Sequence, residues 1–247
     1  MPAPALAAWI LAGALVAMGP MFAPAERWVY RTDPGVRRKL MAYGTTIVIL
    51  WALALAAVRI SGWAPLLSSP APSDAWLPWA RIAGPAFGVA TAAYFIVALL
   101  PLIQSLRGPR ARAAYAAAVR RVFPLPGLLP RAGAECAAFV ALSLTAGVCE
   151  EILFRGFLIS FLHQGALALP VAGALAASSV IFGLGHTYQG FRGVFATTIA
   201  GLFMGLVFLL SGSLIPAMIL HALVDAQMAY VLRPVFDPHA PGALEAA

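Results

Sequence analysis

Charged residues are scarce in this sequence: they make up 10% of the 247 positions, whereas 62% are hydrophobic. An average soluble domain has about 25% charged and about 45–50% apolar residues. The shortage of charge excludes a disordered chain, and a core of this size cannot hide so much apolar surface from water. Lipid is therefore the expected solvent, and the composition predicts an all-α, polytopic membrane protein.

Lysine and cysteine are almost missing. Lys39 is the only lysine among 16 basic residues, which face 9 acidic ones. The basic residues lie between apolar runs, as membrane topology requires, so we expect no nucleic-acid partner. Cys136 and Cys149 share one apolar run, and their spacing indicates neither a disulfide framework nor a zinc site. Two carboxylates follow Cys149, which disfavours a thiolate nucleophile.

Seven stretches are apolar enough to cross a bilayer as helices of about 20 residues each. They are Ala5–Ala23, Ala42–Ile60, Ile82–Ile103, Glu135–Leu162, Leu167–Gly185, Val194–Leu210 and Leu214–Leu232. We expect a transmembrane helix bundle of about seven spans, with a pocket between the C-terminal four. The expected units are an N-terminal part (1–131) with three spans and basic loops, a catalytic core (132–234) and a flexible tail (235–247).

Arginines in two loops predict the orientation. The stretches 27–39 and 107–131 carry most of the basic residues, and both are expected in the cytoplasm, with the N-terminus outside and the C-terminus inside. The second stretch is either a helix on the anionic inner leaflet or a solvated loop, and lipid is an expected partner either way. High Ala, Arg, Pro and Gly content is typical of a GC-rich bacterial genome, which favours a bacterial inner membrane.

Acidic residues inside the fourth span form the first unusual cluster. A charge at the centre of a bilayer costs at least about 2.5–3.5 kcal/mol on insertion scales, so such residues are kept mainly where they pair or perform chemistry. Glu151 and Arg155 are four positions apart and share a helical face, which predicts an ion pair. Glu150 has no such partner, because Phe154 stands four positions after it.

Histidines form two further clusters with the same four-residue spacing. Phe182 and His186 share a face, and so do His221 and Asp225. Taken alone, His186 is more often an interfacial residue, and the second pair could be a self-contained hydrogen bond that stabilises packing. The three clusters lie on successive spans and all fall within a hydrocarbon layer of about 30 Å, so a shared pocket is possible.

A carboxylate and an imidazole can together hold and deprotonate a water molecule, and a second imidazole can donate a hydrogen bond to an oxyanion. These groups predict hydrolysis of an acyl bond inside the membrane. No serine or cysteine lies in a nucleophile elbow or beside a clear base, so water is the expected nucleophile. No HExxH motif occurs.

The ordered clusters resemble the motifs of the CPBP family, the CaaX proteases and bacteriocin-processing enzymes also called the Abi family. The resemblance covers about Arg131–Leu232 and implies a glutamic-type intramembrane endopeptidase without a cofactor. By that likeness Glu150 and His186 activate water, while His221 and residue 225 line the oxyanion hole. Supporting roles fall to Glu151, Arg155 and Phe182.

Asp225 departs from the eukaryotic relatives, which have Asn there. An ionised Asp cannot donate a hydrogen bond. Either the carboxyl is protonated and donates, or it orients His221, or it helps to bind a metal.

Two alternatives stay open at this point. Glu, His and Asp side chains are plausible zinc ligands, so a zinc-dependent form of the same protease is the second interpretation. A non-enzymatic immunity or partner-binding protein, or a proton-coupled carrier, is the third, because intramembrane acids also serve proton relays. The expected substrate is a membrane-embedded protein or hydrophobic peptide, cleaved in a C-terminal tail or anchor. The sequence does not predict an oligomeric state.

Overall fold

The computed structural model describes residues 3–30, 32, 34–62, 67, 77–122, 125–131, 133–165 and 167–236. These residues form eight helices, which confirms the predicted all-α fold. The helices are α1 (Ala3–Tyr30), α2 (Val36–Ser61), α3 (Leu77–Ser105), α4 (Pro109–Val122), α5 (Ala134–Gln164), α6 (Val171–Gly185), α7 (Gly190–Ser211) and α8 (Leu214–Phe236). Most of the predicted tail, 235–247, lies outside the described residues.

Six helices are long and apolar enough to cross a membrane, namely all of those described except α4 and α6. Large apolar side chains on them, such as Ile10, Val48 and Val97, are exposed, as expected for lipid-facing positions. The fifth predicted span is shorter than expected: α6 has 15 residues, or about 22 Å, against a hydrocarbon layer of about 30 Å. The reason is Pro170, which precedes the helix in an extended conformation and delays its start to Val171.

Helix α5 is interrupted by a π-helical stretch, in which the turns are wider than in an α-helix. Residues Glu151–Leu158 adopt π-helical geometry, and all eight of them are buried. π-turns inside α-helices are frequent at functional sites, because the extra residue in the turn changes which side chains face a given neighbour. Here the turn begins directly after Glu150, so the Glu-Glu pair lies at the junction between the two helical geometries.

A small-residue contact brings α5 against α8. A Cβ atom added to Gly147 would lie 2.8 Å from both the Cβ and the backbone nitrogen of Ala222, so no larger residue fits without moving a backbone. Close backbone approach through small residues is the usual way in which membrane helices associate. Gly147 is one turn before Glu150, and Ala222 follows His221, so this contact places the two site-bearing segments side by side.

Helices α6 and α7 pack equally closely. A Cβ on Gly183 would lie 2.0 Å from Thr198 Oγ1, and one on Gly201 would lie 3.1 Å from the Phe182 ring. These glycines let α7 approach the end of α6 that carries Phe182 and His186. Because α5 also packs against α6, the three sequence clusters converge within the bundle.

Lys39 does not lie in a loop, although the sequence predicts it in the first basic cytoplasmic stretch. It lies within α2 and is buried. Its Nζ donates to Glu135 Oε2 at 2.9 Å and to the Leu129 carbonyl at 3.3 Å, which joins α2 to the start of α5. The second basic stretch contains helix α4, where the Arg112 guanidinium lies 5.0 Å from the Tyr230 ring centroid of α8.

Candidate active site

Glu151 and Arg155 form the ion pair that their spacing predicts. Arg155 Nη1 donates to Glu151 Oε1 at 2.8 Å, and both side chains are almost completely buried. The guanidinium also donates from Nη2 to the Gly201 carbonyl at 3.3 Å and lies 4.3 Å from the Phe182 ring centroid. The Arg155 cation is thus held in place by a carboxylate, a carbonyl oxygen and an aromatic ring on the buried side of the site.

His221, on α8, contacts the Glu151 carboxylate of this ion pair. Its Nδ1 lies 2.7 Å from Glu151 Oε1, the same oxygen that accepts from Arg155. A carboxylate paired with an arginine is an acceptor, so Nδ1 carries the proton and donates. Glu151 therefore orients the imidazole and directs its Nε2 atom toward the other side of the site.

Two more carboxyl groups face Nε2 of His221. Asp225 Oδ2 lies 3.5 Å from it and Glu150 Oε2 lies 3.8 Å from it. The sequence interpretation of a self-contained His221–Asp225 pair is therefore incomplete, because the closest partner of the ring is Glu151. Exposure rises across the three acids, from 0% for the Glu151 side chain to 16% for Glu150 and 40% for Asp225, so the site opens on the Asp225 side.

Glu150 has a carboxylate oxygen that its surroundings leave unsatisfied. Within the described part of the chain, the buried Oε2 atom accepts no hydrogen bond. A buried acceptor without a partner costs about 1–3 kcal/mol, so it marks either strain or a place where another molecule binds. This oxygen lies 3.8 Å from His221 Nε2, so a small molecule such as water that entered between them could be held by both groups.

His186 lies just after the last residue of α6. Its Nδ1 is 2.9 Å from the Phe182 carbonyl oxygen, so Nδ1 carries a proton and Nε2 is left free to accept one. Its ring packs against Phe182 in a tilted arrangement, with centroids 4.9 Å apart, and the Phe182 ring centroid in turn lies 5.9 Å from that of His221. The carboxylate of Glu150 interacts electrostatically with both imidazoles.

The part of the chain that carries these residues matches a known protein family. Residues 132–227 match the family model described as Type II CAAX prenyl endopeptidase Rce1-like. The matched segment is similar to that family over 96 residues. The resemblance to the CPBP family inferred from the motifs is thereby confirmed, and the match supports a membrane protease of the CAAX type. No curated protein and no solved structure matches the chain.

All seven residues singled out in the sequence lie within the Rce1-like segment, and the structure brings them together around one centre. Direct polar or ring contacts link Glu150, Glu151, Arg155, Phe182, His186, His221 and Asp225. Phe182, which had only a supporting role in the sequence, touches Arg155 and both histidines. The i,i+4 spacing predicts its contact with His186 but not the others.

Sequence reasoning missed two polar groups at the edge of the Rce1-like segment's site. Tyr188 follows His186 closely, and the two rings lie 5.8 Å apart. Glu26 comes from α1, outside the segment, and interacts electrostatically with His186. Tyr188 could have been found from its position after the histidine, but no local pattern connects Glu26 with a residue so far along the chain.

Cys149 and the zinc ligands can be judged from the same geometry. Cys149 is completely buried, so its thiol is not accessible to a substrate. Among the described residues, no group of three His, Cys, Asp or Glu side chains has the arrangement of a metal site. His221 Nδ1 and His186 Nδ1 already have acceptors, so each imidazole could offer a metal only its Nε2 atom.

Proposed function

We propose that the chain is a glutamic-type intramembrane endopeptidase that hydrolyses a peptide bond with an activated water molecule. The observation that carries this proposal is the buried, unsatisfied Glu150 Oε2, which lies 3.8 Å from His221 Nε2 and belongs to a carboxylate that interacts electrostatically with His186 as well. The match of residues 132–227 to a family of endopeptidases supports the reaction class.

Glu150 and His186 are the proposed catalytic bases. Glu150 Oε2 holds the water, and the free Nε2 of His186 accepts a proton from it as the oxygen attacks the carbonyl carbon. The proton then passes to the leaving amine nitrogen as the C–N bond breaks. Hydrogen bonding of Nδ1 to the Phe182 carbonyl supports this role, because it keeps the lone pair of Nε2 available.

His221 is the proposed oxyanion donor. Glu150, Glu151 and Asp225 bring three carboxyl groups to the site, whereas Arg155 is its only permanent cation. This charge balance favours a second proton on His221, at Nε2. The distances of 3.5 Å and 3.8 Å to Asp225 and Glu150 leave that N–H available to a developing oxyanion.

Asp225 and Glu151 are proposed to act through His221. Glu151 fixes the ring from the buried side, and Asp225 faces Nε2 from the open side. Of the three roles left open in the sequence, we propose the orienting one for Asp225. Its half-exposed position beside an imidazole gives no apolar pocket that would keep the carboxyl neutral.

The proposed reaction needs no metal. The zinc-dependent form of the protease is the alternative, and the effect of a chelator on cleavage distinguishes the two. We propose a hydrophobic peptide, or the C-terminal tail or anchor of a membrane protein, as substrate. The proposed location is a bacterial inner membrane with the N-terminus outside, which places the His186 end of α6 on the cytoplasmic side.

A single pair of variants tests the proposal. Glu150→Gln preserves the size of the side chain but removes the negative charge that holds and activates the water, and losing a group of the general-base machinery costs about 10²–10⁴-fold in rate. Cleavage of a fluorescence-quenched hydrophobic peptide would be followed with purified protein in detergent micelles, with and without a zinc chelator. The matched control is Glu245→Gln, the same chemical change near the end of the chain.

Four outcomes are distinguishable. Loss of cleavage in Glu150→Gln alone, insensitive to the chelator, supports the proposal. Loss of wild-type cleavage on chelation, with zinc bound stoichiometrically, would establish the metalloprotease instead. Equal cleavage by both variants removes the role of Glu150, and solute transport that persists in Glu150→Gln would favour a carrier.

A further inference from the structure

Helix α1 lies directly along the end of α6 that leads to His186. A Cβ atom on Gly19 would lie 2.1 Å from the Leu184 carbonyl oxygen and 2.4 Å from Gly185 Cα, so the two backbones touch. Two turns later, Arg27 Nη1 donates to the Thr187 carbonyl at 3.4 Å. These contacts lie immediately before and immediately after His186, so the stretch 19–27 of α1 forms one wall beside it.

Glu26 lies on the face of α1 that forms this wall. It is seven positions after Gly19, which is about two helical turns and therefore nearly the same direction. Ala23 and Tyr30, at neighbouring positions of that face, are buried. The Glu26 side chain is itself partly buried, and its carboxylate interacts electrostatically with His186 and with Tyr188.

An acid at this position needs an explanation. Glu26 is the first charged residue of the sequence, and it lies in a helix apolar enough to span a membrane. A charge in such a helix is costly unless a partner compensates it. In the described part of the chain no salt bridge holds Glu26, so the imidazole of His186 is its electrostatic partner.

His186 thus interacts electrostatically with carboxylates on two different helices, Glu150 of α5 and Glu26 of α1. The remaining titratable neighbours are Tyr188, whose ring is 5.8 Å away, and then His221 and Asp225, which surround Glu150. A carboxylate behind an imidazole stabilises the cation that forms when the ring accepts a proton, as in other carboxylate–histidine pairs.

We infer that Glu26, on a helix outside the Rce1-like segment, is a positioning residue that stabilises protonated His186 during peptide hydrolysis. The inference rests on the proposed function of His186 as a base. When water attacks the carbonyl carbon, its proton moves to His186 Nε2, and Glu26 balances the new positive charge. The proton leaves again when the amine departs, so Glu26 is not consumed and need not touch the substrate.

The test is the pH dependence of peptide cleavage by Glu26→Gln. The probe is a fluorescence-quenched hydrophobic peptide that the wild-type protein cleaves in detergent micelles. Without the nearby negative charge, protonated His186 is less stable, so the acid limb of the kcat/KM profile should move to lower pH. Because His186 becomes a weaker base, the plateau kcat should also fall about tenfold or more, which corresponds to about 1.4 kcal/mol in the activation free energy. KM should change little.

Arg27→Gln is the matched control, because it removes a neighbouring charge that contacts the same turn. Loss of the Arg27 cation cannot destabilise protonated His186, so the acid limb should not move to lower pH in this variant. Glu26→Asp keeps the charge and should restore much of the plateau rate. If Glu26→Gln does not accumulate, Glu26→Ala removes the same charge and carries the test. An unshifted acid limb in the charge-free variant that is measured overturns the inference.

Glu150→Gln, measured in parallel, distinguishes a failure of the inferred role of Glu26 from a failure of the proposed function. If Glu150→Gln is inactive and the Glu26 variants show no shift, only the role of Glu26 fails. If Glu150→Gln cleaves the peptide normally, the proposed function fails with it.

Discussion

The Nδ1 atom of His221 lies 2.7 Å from Oε1 of Glu151, although the two residues are 70 positions apart. The same oxygen accepts the hydrogen bond of Arg155 at 2.8 Å. One buried carboxylate therefore neutralises a cation on its own helix and orients an imidazole on another. Because one carboxylate serves both purposes, folding and catalysis are both expected to depend on Glu151.

Glu151→Gln should lower both stability and activity. The substitution leaves Arg155 buried without an opposite charge, and breaking a buried pair in this way costs about 3–5 kcal/mol. It also replaces the carboxylate that fixes His221 by a neutral and weaker amide acceptor, so the remaining folded protein should cleave peptide more slowly. Thermal unfolding in detergent and the rate per folded molecule would be measured on the same samples.

Glu135→Gln provides the comparison, because it breaks the other buried ion pair, with Lys39 at 2.9 Å, away from the site. It should also lower the unfolding temperature, but the rate per folded molecule should stay close to that of wild type. Equal loss of rate per folded molecule in both variants would contradict a specific role for Glu151.

Asp225→Asn should weaken catalysis across the whole pH range. If Asp225 is an ionised partner of His221 Nε2, Asn supplies no charge to stabilise an imidazolium, and we expect a loss of about tenfold or more. A neutral Asp that donates to the oxyanion would behave differently, since Asn donates at every pH. Activity that is retained and extends to higher pH in Asp225→Asn would refute the orienting role.

Gly147→Ala should destabilise the bundle even though Ala has the higher helix propensity. The new Cβ would lie 2.8 Å from Ala222, so α5 and α8 must separate and carry Glu150 away from His221. Gly173→Ala is the control, because its Cβ would meet only ordinary contacts at 3.9 Å in α6. That variant should be neutral or gain up to about 1 kcal/mol, whereas Gly147→Ala should lose cleavage activity.

Gln227 is expected to stabilise α3 next to Pro101, which lies inside that helix. Its side-chain amide accepts from the Leu102 backbone N–H at 3.2 Å and donates to the Ala98 carbonyl at 3.0 Å. Gln227→Leu leaves these groups without that partner, for a loss of about 1–3 kcal/mol in the free energy of unfolding. Gln164→Leu, at an exposed position, is the control; equal unfolding temperatures in both variants would show that the bridge contributes nothing.

Local patterns in the sequence were sufficient for several features. Apolar runs of membrane-spanning length predicted the bundle, because lipid requires every backbone group to bond within its own helix. The spacing of Glu151 and Arg155 predicted their ion pair, since residues four apart share a helical face. Pro170 could have shortened the fifth span in the prediction as it does in the structure, but the apolar run on both sides concealed it.

The partners of the site residues were decided only by the tertiary structure. The local spacing paired His221 with Asp225, whereas helix packing gave its closest contact to Glu151, 70 positions away. Lys39 found Glu135, and Glu26 came beside His186, in the same way. Periodicity reports which side chains share one helix face, but not which face of which other helix they meet. That choice depends on close contacts such as Gly147 against Ala222, which form only when the helices assemble.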